Sequence, residues 1–322
     1  MRFRSLVFGP TRLGLAVLSW TAAACNPACT PPPADPAPTS ADAASAPAAS
    51  SGDAKAAAPG GGAPAQDQMI MEAKGVDLSK LSEAQRASFF QLINVEPSAC
   101  DKPHSLATSL RDDAQCRDSL IVAQFAADRL AVGATVADVR LELTSVVDAL
   151  KVHEIDTKGR PSMGNDRAPV TVVMFADFQC PHCKAEAPVV RETIKKYPNR
   201  VRLVFKHFPL SAHPRAKVAA IACEAALAQG KFWEMHDIVF QNNAALEDAD
   251  LRRYAQEIGL DLAAFDAHFG AKKGEAAVSK DRDDGEKLGI QGTPAVYVNG
   301  RVKHPLLFGG TLEGAIEEAL RR

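Results

Sequence analysis

The sequence predicts an α/β fold over residues 153–322, preceded by a small all-α domain at 70–152 and, before that, a disordered Ala/Pro-rich linker. One observation is the β-rich run Val170-Thr171-Val172-Val173-Met174-Phe175, followed after a short turn by Ala185, Val189, Val190 and Ile194 on helical spacing. A second is the strand-like Ala295-Val296-Tyr297-Val298, closed by the hairpin signal Asn299-Gly300. The third is that apolar residues between 82 and 147 recur at helical intervals. With 37 Lys+Arg against 39 Asp+Glu the formal net charge is -2, so no basic excess exists to neutralise phosphates and a nucleic-acid partner is excluded.

The N-terminus carries Arg2, Arg4 and Arg12, then an apolar run from Leu13 to Ala24 that ends in Ala22-Ala23-Ala24. This reads as a secretory signal over residues 1–24, too short for a membrane span, which needs about 20 apolar residues. Cys25 follows directly, as in a bacterial lipobox, although Ala22 stands where Leu is usual. Lipidation of Cys25 is expected, with plain cleavage before it as the alternative. Residues 26–68 contain no Val, Ile, Leu, Met, Phe, Tyr or Trp. Such a segment has no apolar burial to set against the entropy of ordering, and residues 25–69 are expected to form a disordered, somewhat stiff spacer. The expected location is the bacterial periplasm or cell envelope, with the membrane surface as a contact through the lipid.

Within 70–152, Ser82-Glu83-Ala84-Gln85 fits a capping box ahead of Phe89, Phe90, Leu92 and Ile93. A second pattern runs from Ser119 through Phe125 and Leu130 to Gly133, a helix-ending residue. Thr135 begins a third, with Val139, Leu143 and Val146. Cys100 and Cys116 flank a short stretch between the first two, and in an exported protein the expectation is a structural disulfide. A zinc site using these two Cys and His104 is the sharper alternative, but the spacing lacks paired ligands. Paired helices around a cysteine-containing loop loosely resemble the helical domain of the cytochrome c maturation protein CcmH. That family carries a CxxC pair, so redox function does not transfer to Cys100 or Cys116.

Cys180-Pro181-His182-Cys183 sits where the first strand passes into a helix. With Cys180 as N-cap, Pro181 takes the first helical position, where its fixed φ and missing N–H cost nothing. The N–H groups of His182 and Cys183 are then expected to point at the Cys180 sulfur. Those donors, the helix dipole and the His182 imidazole would stabilise a thiolate there, making Cys180 the attacking thiol. Cys183, three residues on, shares its face and is expected to be the more buried, resolving partner. A purely structural disulfide or half a metal site is the blander reading. A two-residue loop stabilises little, and no second CxxC completes a cage.

Gly292-Thr293-Pro294 precedes the second strand. Together with the upstream CxxC it reads as a cis-proline facing a redox pair, its backbone free to receive an extended client chain. Ala168-Pro169-Val170, Asp177-Phe178-Gln179-Cys180-Pro181-His182-Cys183, Phe205-Lys206-His207-Phe208-Pro209-Leu210, Gly230-Lys231-Phe232-Trp233 and Gly292-Thr293-Pro294 follow in order. In these motifs residues 160–322 resemble the DsbA-like thiol:disulfide oxidoreductases of the thioredoxin superfamily. The resemblance implies a thioredoxin core with a helical insertion at about 212–288, and a site of Cys180, Pro181, His182, Cys183, Thr293 and Pro294. Two departures stand out. Met174 lies where thioredoxin and DsbA hold a buried carboxylate, leaving Asp177 as the candidate proton acceptor. Thr293 precedes the cis-proline as in disulfide isomerases, where DsbA has Val.

Other polar residues receive plainer readings. Lys206 and His207 are expected at a solvated strand end, Cys223 as a buried small hydrophobe, and Phe232 and Trp233 in the core. His213, His236, His268 and His304 lack metal spacing, and no metal or organic cofactor is implied. The expected function is an exported protein disulfide oxidoreductase that oxidises client-protein cysteines and is renewed by a membrane-bound or soluble redox partner. A reductase or isomerase, with apocytochrome thiols as one substrate class, and a non-catalytic thioredoxin-fold binding module are the alternatives.

Overall fold

The computed structural model describes residues 69–322. The expected signal peptide, Cys25 and all but the last residue of the linker lie outside the described residues. Helix α1 (Glu83–Val95) begins as a reciprocal cap: Ser82 Oγ accepts from the Gln85 N–H, and Gln85 Oε1 accepts from the Ser82 N–H. Ser105 caps α2 (Leu106–Asp112). Helix α3 (Arg117–Ala131) ends at Gly133, whose φ of 90° suits a residue without Cβ. Thr135 and Asp138 form another reciprocal cap at α4 (Val136–Ala149). Phe89, Leu92 and Ile93 of α1 pack with Leu106, Val122, Ala126, Val139 and Val146 into one buried apolar cluster. Cys100 and Cys116 are joined in a disulfide that ties the loop before α2 to the N-cap of α3.

The second part is built on a mixed five-stranded sheet. Its strands are β1 (Ser162–Gly164), β2 (Val170–Ala176), β3 (Val201–His207), β4 (Ala295–Val298) and β5 (Arg301–Val302). The spatial order is β1-β3-β2-β4-β5, with β2 parallel to β3 and the other pairs antiparallel. Helix α5 (Pro181–Lys195) makes the crossover that a parallel pair requires. The central strands β2 and β3 are covered on both faces, which explains their nearly unbroken apolar runs. Met174, paired with Phe205 and Val296, points into the same core as Cys183, whereas Phe175 and Val204 face a second cluster with Phe208 and Tyr297. Asn299 (φ 47°) and Gly300 (φ 80°) turn β4 into β5, the left-handed pair that a two-residue hairpin needs. A Cβ on Gly300 would stand 2.4 Å from the His153 carbonyl oxygen.

Between β3 and β4 lies the helical insertion: α6 (Ala216–Leu227), α7 (Phe232–Gln241), α8 (Asp248–Glu257), α9 (Leu262–Gly270) and α10 (Glu275–Lys287). Cys223 is fully buried in α6, and Phe232 lies in the aromatic core beside Trp233. The chain closes with α11 (Leu312–Arg321). The α1–α4 layer meets the sheet along β5 and α11. Arg301 donates to the Leu150 carbonyl at 2.8 Å, and Arg117 forms a two-pronged ion pair with Glu318 at 2.5 and 2.8 Å.

The expected solvated strand end is not there. Lys206 and His207 are fully buried because the insertion folds back over the end of β3 and brings acids to them. Lys206 Nζ donates to Asp284 Oδ2 at 2.7 Å and the Asp156 carbonyl at 2.8 Å, and lies 3.2 Å from Asp281 Oδ1. His207 Nε2 is 2.9 Å from Glu224 Oε1, and Arg160 Nη1 bridges Glu224 and Asp281 at 3.1 Å each. This network ties α6 and α10 to the sheet and so fixes the insertion over the helix-start region.

Candidate redox site

Cys180 is the N-cap of α5 with extended backbone (φ -72°, ψ 123°), and Pro181 occupies the first helical turn. Cys180 and Cys183 are both free thiols. Cys180 keeps 3% of its surface exposed and Cys183 none, so an incoming sulfur meets Cys180 first. His182 is exposed beside them. The cap itself departs from expectation, since the Cys180 side chain receives no hydrogen bond from the first-turn amides. Instead the sulfur stands 3.4 Å from the Thr293 carbonyl oxygen, an acceptor for a thiol, and so faces the Thr293-Pro294 loop. The Thr293–Pro294 bond is cis. The structure thus brings together Cys180, Pro181, His182, Cys183, Thr293 and Pro294 from the start of α5 and the approach to β4.

Burial pushes the Cys183 thiol up to about 12, against the lowering effect of the Asp177 N–H. The apolar core to which Cys183 and Met174 both belong supplies the desolvation. The Asp177 N–H faces Cys183 Sγ at 3.5 Å. The Asp177 carboxylate points into the adjoining loops: Oδ1 accepts from the Gln179 N–H at 2.7 Å, and Oδ2 accepts at 2.8 Å from both the Leu210 N–H and His213 Nδ1. Sequence reasoning took His213 for a scattered residue. It enters the site because the β3–α6 loop folds against the β2–α5 turn, a proximity that no spacing in the chain announces. Thr293 Oγ1 is buried and has no hydrogen-bond partner. Cys100 and Cys116 belong to the α1–α4 layer and not to this site. Among the described residues no three His, Cys, Asp or Glu side chains gather as a metal cluster would.

Residues 156–318, the span that carries this sheet, insertion and cysteine pair, match the family profile described as Thioredoxin. The chain belongs to the thioredoxin family. It is 33% identical over 173 residues to the probable disulfide bond formation protein D of Bacillus cereus, covering 50% of this chain and 79% of that protein. It is also 45% identical over 142 residues to Na(+)/H(+) antiporter NhaA 3 of Salinispora tropica. That match covers 44% of this chain but 22% of the antiporter, so the chain spans about a fifth of the length of such relatives. The crystal structure of oxidised BdbD from Bacillus subtilis superposes with a TM-score of 0.47 and 27% identity, over 53% of this chain and 98% of that one. Among the described residues no helix of this thioredoxin-family chain is long and apolar enough to cross a membrane.

Proposed function

We propose that this protein is an exported thiol:disulfide oxidoreductase that oxidises client-protein thiols through Cys180 and Cys183. The observation that carries the reading is the asymmetry of the pair. One sulfur is slightly exposed at a helix start and faces a cis-proline loop, while the other is sealed in the core. In the oxidising direction a client thiolate attacks Cys180 Sγ, the Cys180–Cys183 bond breaks, and its electron pair goes to Cys183, which takes up a proton. A second client thiolate then attacks the mixed disulfide, leaving an oxidised client and a reduced protein. The backbone at Thr293-Pro294 would hold the extended client beside Cys180, and a redox partner in the membrane or in solution would restore the disulfide. No organic cofactor takes part in this scheme, because the sulfurs carry both electrons.

The relative from Bacillus cereus named for disulfide bond formation supports this direction. A reductase or isomerase role is the second reading, favoured by Thr293 ahead of the cis-proline, the residue that disulfide isomerases carry there. The sequence pattern before Asn26 supports export to the periplasm or cell envelope, with a lipid on Cys25 holding the protein at a membrane surface. The test is equilibrium of the Cys180–Cys183 pair with glutathione after replacement of Cys25, Cys29 and Cys223. A potential near about -120 mV supports the oxidase, whereas one near about -270 mV moves the reductase to the front.

A further inference from the structure

In the redox cycle proposed above, opening of the Cys180–Cys183 disulfide places a negative charge on a sulfur that is fully buried. Burial opposes that charge, and the Asp177 N–H, at 3.5 Å, is the backbone donor directed at it. How firmly this amide is aimed depends on the turn from Asp177 to Cys180. That turn is held through the Asp177 carboxylate, which three donors grip from two segments: Gln179 N–H, Leu210 N–H and His213 Nδ1. The carboxylate is wholly buried, but 24% of the His213 side chain is exposed. An ionised carboxylate only accepts, so His213 Nδ1 supplies the proton of this hydrogen bond.

We propose that His213 is a positioning residue for the opening of the disulfide: it clamps Asp177 so that the Asp177 amide meets the Cys183 sulfur. The inference rests on the reading of Cys180 and Cys183 as a redox pair. Asp177 faces His213 from the β2–α5 turn, and Lys217 from α6 with Arg282, Asp283 and Glu286 from α10 line one surface cavity with it. Lys217 pairs with Glu275 at 2.5 Å and Arg282 with Glu286 at 2.9 Å, while Asp283 forms no ion pair among the described residues.

The experiment follows glutathione opening the disulfide of the oxidised full chain at one pH of about 7, with each rate divided by the concentration of glutathione thiolate. His213→Asn, whose side-chain amide nitrogen can stand where Nδ1 stands, keeps the clamp, and its rate is expected to match that of the parent. His213→Ala loses the clamp and is expected to be several-fold slower, with its circular dichroism unchanged. A His213→Ala rate equal to that of the parent, or a His213→Asn rate as slow as that of His213→Ala, overturns the role of His213 and leaves the redox pair standing. A parent disulfide that does not exchange with glutathione at all overturns the redox-pair reading itself.

Discussion

Replacement of Lys206 by Met tests whether the buried ion network fastens the insertion to the sheet. The ammonium is fully buried and is shared by Asp284, the Asp156 carbonyl and Asp281. Removing it leaves Asp281, itself 1% exposed, with Arg160 Nη1 and the His207 N–H, each at 3.1 Å, and leaves Asp284 with Lys280 at 2.9 Å. Removing one member of a buried pair costs about 3–5 kcal/mol, and these remaining partners place Lys206→Met at the lower end, about 3 kcal/mol. At roughly 2–4 °C per kcal/mol for a chain of this size, the midpoint of thermal unfolding should fall by about 6–12 °C. Calorimetry measures the shift. In the same assay Lys206→Met with Asp284→Asn should cost less than the sum of the two single changes, because the acid left behind is neutralised. A loss below about 1 kcal/mol, the value of an exposed ion pair, would refute the reasoning and restore a solvated strand end.

Two further outcomes follow from burial and charge. In the reduced protein at about pH 8, iodoacetamide should modify Cys180 and spare Cys183, whose thiol is held near 12, and also Cys223, which burial pushes well above the usual range; peptide mass spectrometry reads the sites, and equal labelling of Cys180 and Cys183 contradicts the asymmetry. His236 sits among Phe178, Phe205 and Phe240, and burial lowers its affinity for a proton below the ordinary imidazole value of 6.5. The unfolded chain therefore binds the proton more readily, and stability should decline as pH falls below about 6.5, down to the lowered folded value. Urea unfolding at several pH values should show that decline and its flattening in His236→Phe, and an unaltered slope in the variant contradicts it.

Local chemistry made much of this fold legible before any coordinates. Ser82 with Gln85 and Thr135 with Asp138 are reciprocal caps contained within four residues, so their signals and their geometry coincide. A strand run ending at a cysteine followed by proline specified how α5 begins, and Asn299-Gly300 specified how β4 turns. Features set by distant partners were not legible. Lys206 looks like a surface cation until Asp284, 78 positions later, folds onto it. The Asp177 carboxylate takes two of its donors from 33 and 36 residues away, so neither its orientation nor the part played by His213 could be read from spacing. The Cys180 sulfur turned from its own helix to a carbonyl 113 residues on, because the cis-proline loop offers its thiol an acceptor that the helix start lacks.

The central claim is that Cys180 exchanges a disulfide with a client while Cys183 resolves it. Its most direct test mixes the oxidised full chain with an equal amount of a reduced peptide containing two cysteines and follows both by mass spectrometry. The account predicts transfer of the disulfide from protein to peptide, no transfer with Cys180→Ser, and a trapped Cys180–peptide adduct when reduced Cys183→Ser meets the oxidised peptide. A peptide that stays reduced beside the unaltered protein, or an adduct on any sulfur other than Cys180, would contradict it.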